Sequence, residues 1–156
     1  MALQDVPEVG EIQTLAGHTG WVMDVQWSAD NAVIASSSWD CTVRLWTVDR
    51  VDTPGYTPTV LSGHSLGVWS SAFSPTQPVL ASCGIDRSVR LWHVPTGQAL
   101  HVLQSRHLRT ILSARFSPCG HYLASAGACV RALLPTTAAR PLPPDHCCNV
   151  NWPTTC

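Results

Sequence analysis

Residues 43–46 read Val-Arg-Leu-Trp, and residues 89–92 read Val-Arg-Leu-Trp again. The two tetrapeptides stand 46 residues apart, and the same spacing holds outward from them. Gly17-His18 returns as Gly63-His64, Trp27-Ser28 as Phe73-Ser74, Ala35-Ser36 as Ala81-Ser82, and Asp40 as Asp86. A third copy follows 43 residues later. Phe116-Ser117-Pro118 answers Phe73-Ser74-Pro75, and Ala124-Ser125 answers Ala81-Ser82. His107 answers His64, with Arg106 in place of the preceding glycine. Identities this dense at one offset mark an internal repeat. A period of roughly 20–50 residues points to an array of structural units and decides the architecture before any single element does.

Each unit reads as short strands separated by turns. In the first, Trp21 to Trp27, Ala32 to Ser38, Thr42 to Val48 and Pro58 to Leu61 are apolar or β-branched stretches. Ser28-Ala29-Asp30-Asn31 and Trp39-Asp40 punctuate them. The second unit gives Val68 to Phe73, Val79 to Cys83, Ser88 to Val94 and Ala99 to Leu103, and the third gives Thr110 to Phe116 and Tyr122 to Ala126. Strands without intervening helices exclude βαβ units. Four strands at a fixed period predict the blades of a propeller. The expected fold is all-β: an incomplete β-propeller of about two and a half four-stranded antiparallel blades, with an irregular C-terminal tail. In the first strand of each copy, two residues separate apolar positions where alternation wants one. Val22, Val25 and Trp27 are expected to look inward, and the extra spacing predicts a bulge that re-aims Met23, Trp69 and Leu112.

Composition bounds the function. The chain has 156 residues, 45% of them hydrophobic and 12% charged, with a net charge of -1. All nine basic residues are arginine. A nucleic-acid binder of the usual kind needs a basic face, and a membrane-surface anchor needs a basic cluster; neither is here. No apolar run approaches the ~20 residues of a membrane span, and Met1 to Gly10 does not read as a secretory signal. Seven cysteines, an odd number with no Cys-x-x-Cys pair, read as thiols of a reducing compartment. The expected address is intracellular, cytoplasmic or nuclear.

The chain resembles the WD-repeat β-propeller family. The residues that carry the resemblance are Gly17-His18, Asp40 and Leu45-Trp46, then Gly63-His64, Asp86 and Leu91-Trp92, against a family period of ~40–45 residues with a Gly-His…Trp-Asp signature. The final Asp of that signature is Thr47 in the first copy and His93 in the second. The resemblance implies a hydrogen-bond chain inside each blade: His18, Ser36, Asp40 and Trp46 in the first, and His64, Ser82, Asp86 and Trp92 in the second. The residue types suit it, since Trp only donates, Ser relays, His offers one donor and one acceptor, and Asp accepts. A Ser/His/Asp set also invites a hydrolase reading. Recurrence in each blade and the lack of a Gly-x-Ser-x-Gly elbow favour the structural role, so no catalysis is expected.

The resemblance also implies partner contacts on the loops of one face. Trp39 sits in the turn beside Asp40, where Ile85 stands in the second copy, and Trp21 opens the first strand, where Gly67 stands. Aromatic side chains at such places make binding hot spots. The partner-binding candidates are Trp21, Met23, Trp39, Trp69, Ile85 and Leu112. Arg44 and Arg90 are expected on a solvated blade surface. The function implied is a protein–protein interaction scaffold with a protein or peptide partner and no cofactor, metal, nucleic acid or membrane.

After Gly127 the repeat pattern stops. Residues 128–156 hold five prolines, no glycine and four cysteines. Proline removes ladder donors, so no strand of the repeat pattern is expected in this tail, and Tyr122 to Ala126 is expected to be an open edge. His146, Cys147, Cys148 and Cys156 lack the spacing of a structural zinc site. The expected divisions are an N-terminal arm over 1–10, blades over 11–127 with repeats at about 15–49, 61–97 and 104–127, and a disordered tail over 128–156. Glu11 to Leu15 has no blade of its own to join. An alternative is a splice-derived or frame-changed product of a longer repeat protein with little activity of its own. Exposed blade ends favour assembly with other propeller blades.

Overall fold

The computed structural model describes residues 14–51, 55–104, 107–128 and 149–150. The N-terminal arm, Glu11 to Gln13 and most of the tail, including His146, Cys147, Cys148 and Cys156, lie outside the described residues. Eleven strands form among them: β1 (Val22–Trp27), β2 (Val33–Ser38), β3 (Thr42–Thr47), β4 (Thr59–Ser62), β5 (Val68–Phe73), β6 (Val79–Gly84), β7 (Ser88–His93), β8 (Gln98–Gln104), β9 (Ile111–Phe116), β10 (Leu123–Gly127) and β11 (Asn149–Val150). A 3-10 turn, Val48–Arg50, follows β3. No helix among the described residues is long and apolar enough to cross a membrane.

The strands make three antiparallel sheets, ordered β1-β2-β3-β4, β5-β6-β7-β8 and β9-β10-β11. This is a partial propeller. β1 lies against β5 and β5 against β9, so the three sheets stack side by side along their first strands. The core lies between sheets. Ala35, Val43, Leu45 and Leu61 of the first cluster with Val68, Leu80 and Trp92 of the second. One step on, Ala81, Val89 and Leu91 cluster with Ile111, Ala114 and Leu123. Each fully buried aliphatic side chain contributes about 1.5–3 kcal/mol by leaving water. Cys83 belongs to the second cluster, and burial pushes its thiol up to about 12.

The bulges fall where the broken alternation puts them. The β1–β2 register shifts between Val22 and Asp24, the β5–β6 register between Val68 and Ser70, and the β9–β10 register between Ala126 and Gly127. Met23, Trp69 and Leu112 are the residues passed over.

Three expectations are corrected. Val22, Val25 and Trp27 do not look into a core. Val25 is 55% and Trp27 54% exposed. They stand at the positions of Val68, Ser71 and Phe73, which the first sheet covers in the second, and no described sheet precedes the first. Second, the tail does supply a strand: Val150 pairs with Ala124 and Asn149 with Ser125, so the edge at Ala124–Ser125 is paired. The register matches Ala81↔Leu91 and Ser82↔Arg90 in the second sheet, so β11 occupies the third-strand place. Two residues suffice because the ladder needs only backbone groups, and neither is proline. Third, Arg44 and Arg90 are half-buried, not solvated. Their guanidinium groups and the rings of Trp46 and Trp92 fill the space that a Cβ on Gly17 or Gly63 would need, which is why glycine precedes each histidine.

Candidate functional site

The buried polar side chains of the first two sheets form matching chains. Trp46 Nε1 donates to Ser36 Oγ at 2.8 Å, Ser36 Oγ lies 2.7 Å from His18 Nε2, and His18 Nδ1 lies 2.8 Å from Asp40 Oδ2. The same links in the second sheet run Trp92 to Ser82 at 2.8 Å, Ser82 to His64 at 2.8 Å, and His64 to Asp86 at 2.8 Å. The network assigns the tautomer: Nδ1–H donates to the carboxylate, and Nε2 accepts the serine hydroxyl. Each aspartate also accepts backbone N–H groups from both sides, Thr19 and Thr42 for Asp40, Ser65 and Ser88 for Asp86. One carboxylate thus ties the loop before the first strand to the turn before the third. In the third sheet His107 Nε2 meets Ser125 Oγ at 3.0 Å.

The order Ser–His–Asp is that of a hydrolytic triad, but the surroundings oppose that use. Ser36 and Ser82 are buried, and each hydroxyl oxygen already accepts an indole N–H. A nucleophile needs an approach for substrate, and burial between the sheets denies one.

The titrations follow from burial. Burial disfavours the ionised form of Asp40, but hydrogen bonds from Thr42, His18 and Thr19 outweigh it and hold the carboxyl well below the usual range. Asp86 is lowered in the same balance, with Ser88 and His64 opposing burial. His64 is lowered as well, because burial of the imidazolium outweighs the attraction of Asp86. Burial also lowers His107. Among the described residues no group of three or more His, Cys, Asp or Glu is placed to hold a metal.

The second feature is a set of exposed apolar side chains at the end of the sheets where these loops and turns lie. Trp21 is 80% exposed and Trp39 is 49% exposed. They are joined through the backbone, Trp39 N–H donating to the Trp21 carbonyl at 2.8 Å. Trp39 meets Trp69 edge-on, with ring centroids 6.1 Å apart, and Ile85 and Trp39 both close around Gly67. Trp21, Trp39, Trp69 and Ile85 are therefore brought to one end of the first two sheets. Met23 is half-buried and Leu112 is exposed at the first and third bulges. Leu66 and Leu108 extend the same end and are likewise exposed. Leu66 lies two residues after His64 and Leu108 one after His107, so they share no repeat position that could have drawn notice to them.

Two more features escaped sequence reasoning. Asp24 Oδ2 accepts Ser70 Oγ and Ser71 N–H at 3.0 Å each, and Arg115 donates to Ser70 Oγ at 3.0 Å and to the Ser71 carbonyl at 3.2 Å. This polar link crosses all three sheets. At the opposite end a cavity of about 430 Å³ opens between the first two sheets, with Val33, Leu45, Phe73 and Val94 inside and the turns at Ser28–Asp30 and Ser74–Pro78 at its rim.

The comparisons with known proteins agree with the architecture. The family described as "WD domain, G-beta repeat" matches residues 10–47, 55–93 and 97–129. Among curated proteins, the chain is similar to the protein transport protein SEC13 of Lodderomyces elongisporus, with 56% identity over 39 residues, 23% of this chain and 13% of that protein. It is similar to the sec13 protein of Emericella nidulans, 48% over 52 residues, covering 31% of this chain and 17% of that protein. The SEC13 protein of Chaetomium thermophilum is 44% identical over 54 residues, 33% and 18% of the two chains. The matched stretches thus span less than a fifth of these relatives' length. With three successive matches over well over half of its residues, the chain belongs to the WD40 repeat family.

Proposed function

We propose that the chain is a non-catalytic protein-interaction module whose partner docks on the end carrying Trp21 and Trp39. One observation carries this reading: two neighbouring tryptophans, 80% and 49% exposed, stand on loops fixed by buried hydrogen-bond chains. A large aromatic ring held in water on a rigid support has apolar area to bury and little freedom to lose, which is what makes a hot spot. The Ser–His–Asp sets serve as the support. The relatives are named for protein transport, so a protein of a transport assembly is the partner class we put forward, with an intracellular address, cytoplasmic or nuclear. Free Cys41, Cys83 and Cys119 suit a reducing compartment.

The test is quantitative affinity capture from a cell extract, with mass spectrometry, comparing wild type, the double variant Trp21→Ala/Trp39→Ala, and Gln77→Ala at the cavity rim. Transport proteins held by wild type and Gln77→Ala but lost at least tenfold by the double variant are expected. Equal capture by all three, with equal melting temperatures, overturns the docking face.

A further inference from the structure

The cavity between the first two sheets opens at the end away from Trp21 and Trp39, and every residue that lines it is a described one. Its floor is apolar: Val33 and Leu45 from the first unit, Phe73 and Val94 from the second. Two turns form its rim, and both consume their own backbone donors. In the first, Ser28 N–H donates to the Val33 carbonyl, Asn31 N–H to the Ser28 carbonyl and Ala32 N–H to Asp30 Oδ1. In the second, Ser74 N–H donates to the Val79 carbonyl, and the N–H groups of Thr76 and Gln77 donate to Ser74 Oγ. Pro75, Pro78 and Pro95 also line the cavity and have no N–H to offer. The rim is therefore poor in backbone donors, while its carbonyl, hydroxyl and carboxylate oxygens can accept. Among the described residues that line it, Asp30 is the one charged group. Its Oδ1 accepts the Ser28 hydroxyl and the Ala32 N–H, and these bonds hold the carboxyl below its ordinary range. Its Oδ2 takes no hydrogen bond among the described residues, so an ionised carboxylate keeps one oxygen uncommitted at the rim.

We propose that this cavity binds an arginine side chain presented by an extended segment of a protein partner, with Asp30 as its counter-ion. Charge and hydrogen-bond complementarity choose the occupant. A guanidinium carries five donors and no acceptor, which answers a rim that accepts and scarcely donates. Its aliphatic stem covers the apolar floor, and its planar head stacks on an aromatic face such as that of Phe73, where a lysine ammonium stacks less well. An anionic group would meet the Asp30 carboxylate and find no basic side chain in the lining. A purely apolar side chain would fill the floor but press against an ionised carboxylate, whose desolvation is costly. The volume, about 430 Å³, lies within the ~300–1,000 Å³ of pockets that take a small ligand. The site is separate from the face at Trp21 and Trp39, so one module offers a contact at each end of its first two sheets.

The experiment is a nuclear magnetic resonance titration of the full, isotope-labelled chain with Nα-acetyl-argininamide, and in parallel with Nα-acetyl-citrullinamide, which has the same shape without the charge. The expected result is saturable binding of the arginine probe, with shifts at the amides of Asp30, Thr76 and Gln77 and none at Trp21 or Trp39. The citrulline probe is expected to bind about fivefold more weakly, the upper range for an exposed ion pair. Asp30→Asn, which keeps an acceptor for Ser28 and Ala32, is expected to weaken the arginine probe by about the same factor and to leave the citrulline probe unchanged. No saturable shift at the cavity overturns the proposal. So does equal binding of the two probes by wild type, a comparison that needs no variant to fold. Equal binding of the arginine probe by wild type and a folded Asp30→Asn overturns it as well. The readout needs neither the transport partner nor the tryptophans, so failure here and failure of the docking face are separate results.

Discussion

Asp40 and Asp86 each fasten a loop and a turn with one carboxylate, so single substitutions there act on two segments. Asp86→Asn keeps one acceptor oxygen but loses the charge that the Ser65, Ser88 and His64 donors face. A cost of about 1–3 kcal/mol is expected from hydrogen bonds to a charged group, read as a lower midpoint in chemical denaturation. Ser82→Ala leaves the Trp92 indole N–H, buried in the core, without its acceptor. A cost in the same range, about 1–3 kcal/mol, follows from an orphaned buried donor. The imidazoles set the pH response. An unfolded histidine takes its proton near its ordinary value of 6.5, while buried His64 and His107 resist it to lower pH. Protonation therefore favours the unfolded chain. Their contribution is complete above about 6.5 and is lost as pH falls toward their folded values. Asp40 and Asp86, lowered from 3.8, add a second loss below that pH. Melting temperature measured across pH is expected to fall in two stages, first as pH drops below about 6.5 and again below about 3.8. A fall confined to the lower stage would show that the buried imidazoles titrate as exposed ones do.

The strands were legible because two local signals agree: β-branched and aromatic runs, and turn residues at repeat intervals. The bulges were legible for the same reason, since they displace apolar residues by one. What depends on a distant partner was not. Cys41 and Arg87 hold equivalent turn positions with φ of 69° and 64°, and neither residue type announces the left-handed conformation. The turns adopt it because the aspartate before each accepts the N–H of the residue after, Thr42 or Ser88. Arg87→Gly relieves about 1–2 kcal/mol of left-handed strain and forfeits about 0.5–1 kcal/mol in unfolded-chain entropy. A net gain of up to about 1.5 kcal/mol is expected in a denaturation midpoint, and a loss would mean the Arg87 side chain matters more than its backbone. Gly84 is the opposite case. A Cβ there would run into the Gly67 carbonyl oxygen beside the β5 bulge, backbone against backbone. Gly84→Ala is expected to cost about 1–3 kcal/mol, as overpacking does. The strand β11 was missed because the tail shares no pattern with the repeats, and only pairing with Ala124 and Ser125 reveals it. The exposed Leu66 and Leu108 were missed because a loop leucine carries no periodic signal.

Each sheet owes its core to a neighbour, so stability is distributed along the arc by position. The second sheet is covered on both faces, by Ala35, Val43 and Leu45 on one side and by Ile111, Ala114 and Leu123 on the other. The first sheet is covered on its trailing face, and its leading face leaves Val22, Val25 and Trp27 to solvent. The third pairs a five-residue β10 with a two-residue β11. In an array of nearest-neighbour interfaces, units with two interfaces open last and terminal units fray first. Native-state hydrogen exchange is therefore expected to be slowest at the amides of β6, faster in β2, and fastest in β10. The link from Asp24 through Ser70 to Arg115 couples the sheets only where their first strands meet, so it does not level this gradient. Equal protection in all three sheets would instead show one cooperative unit.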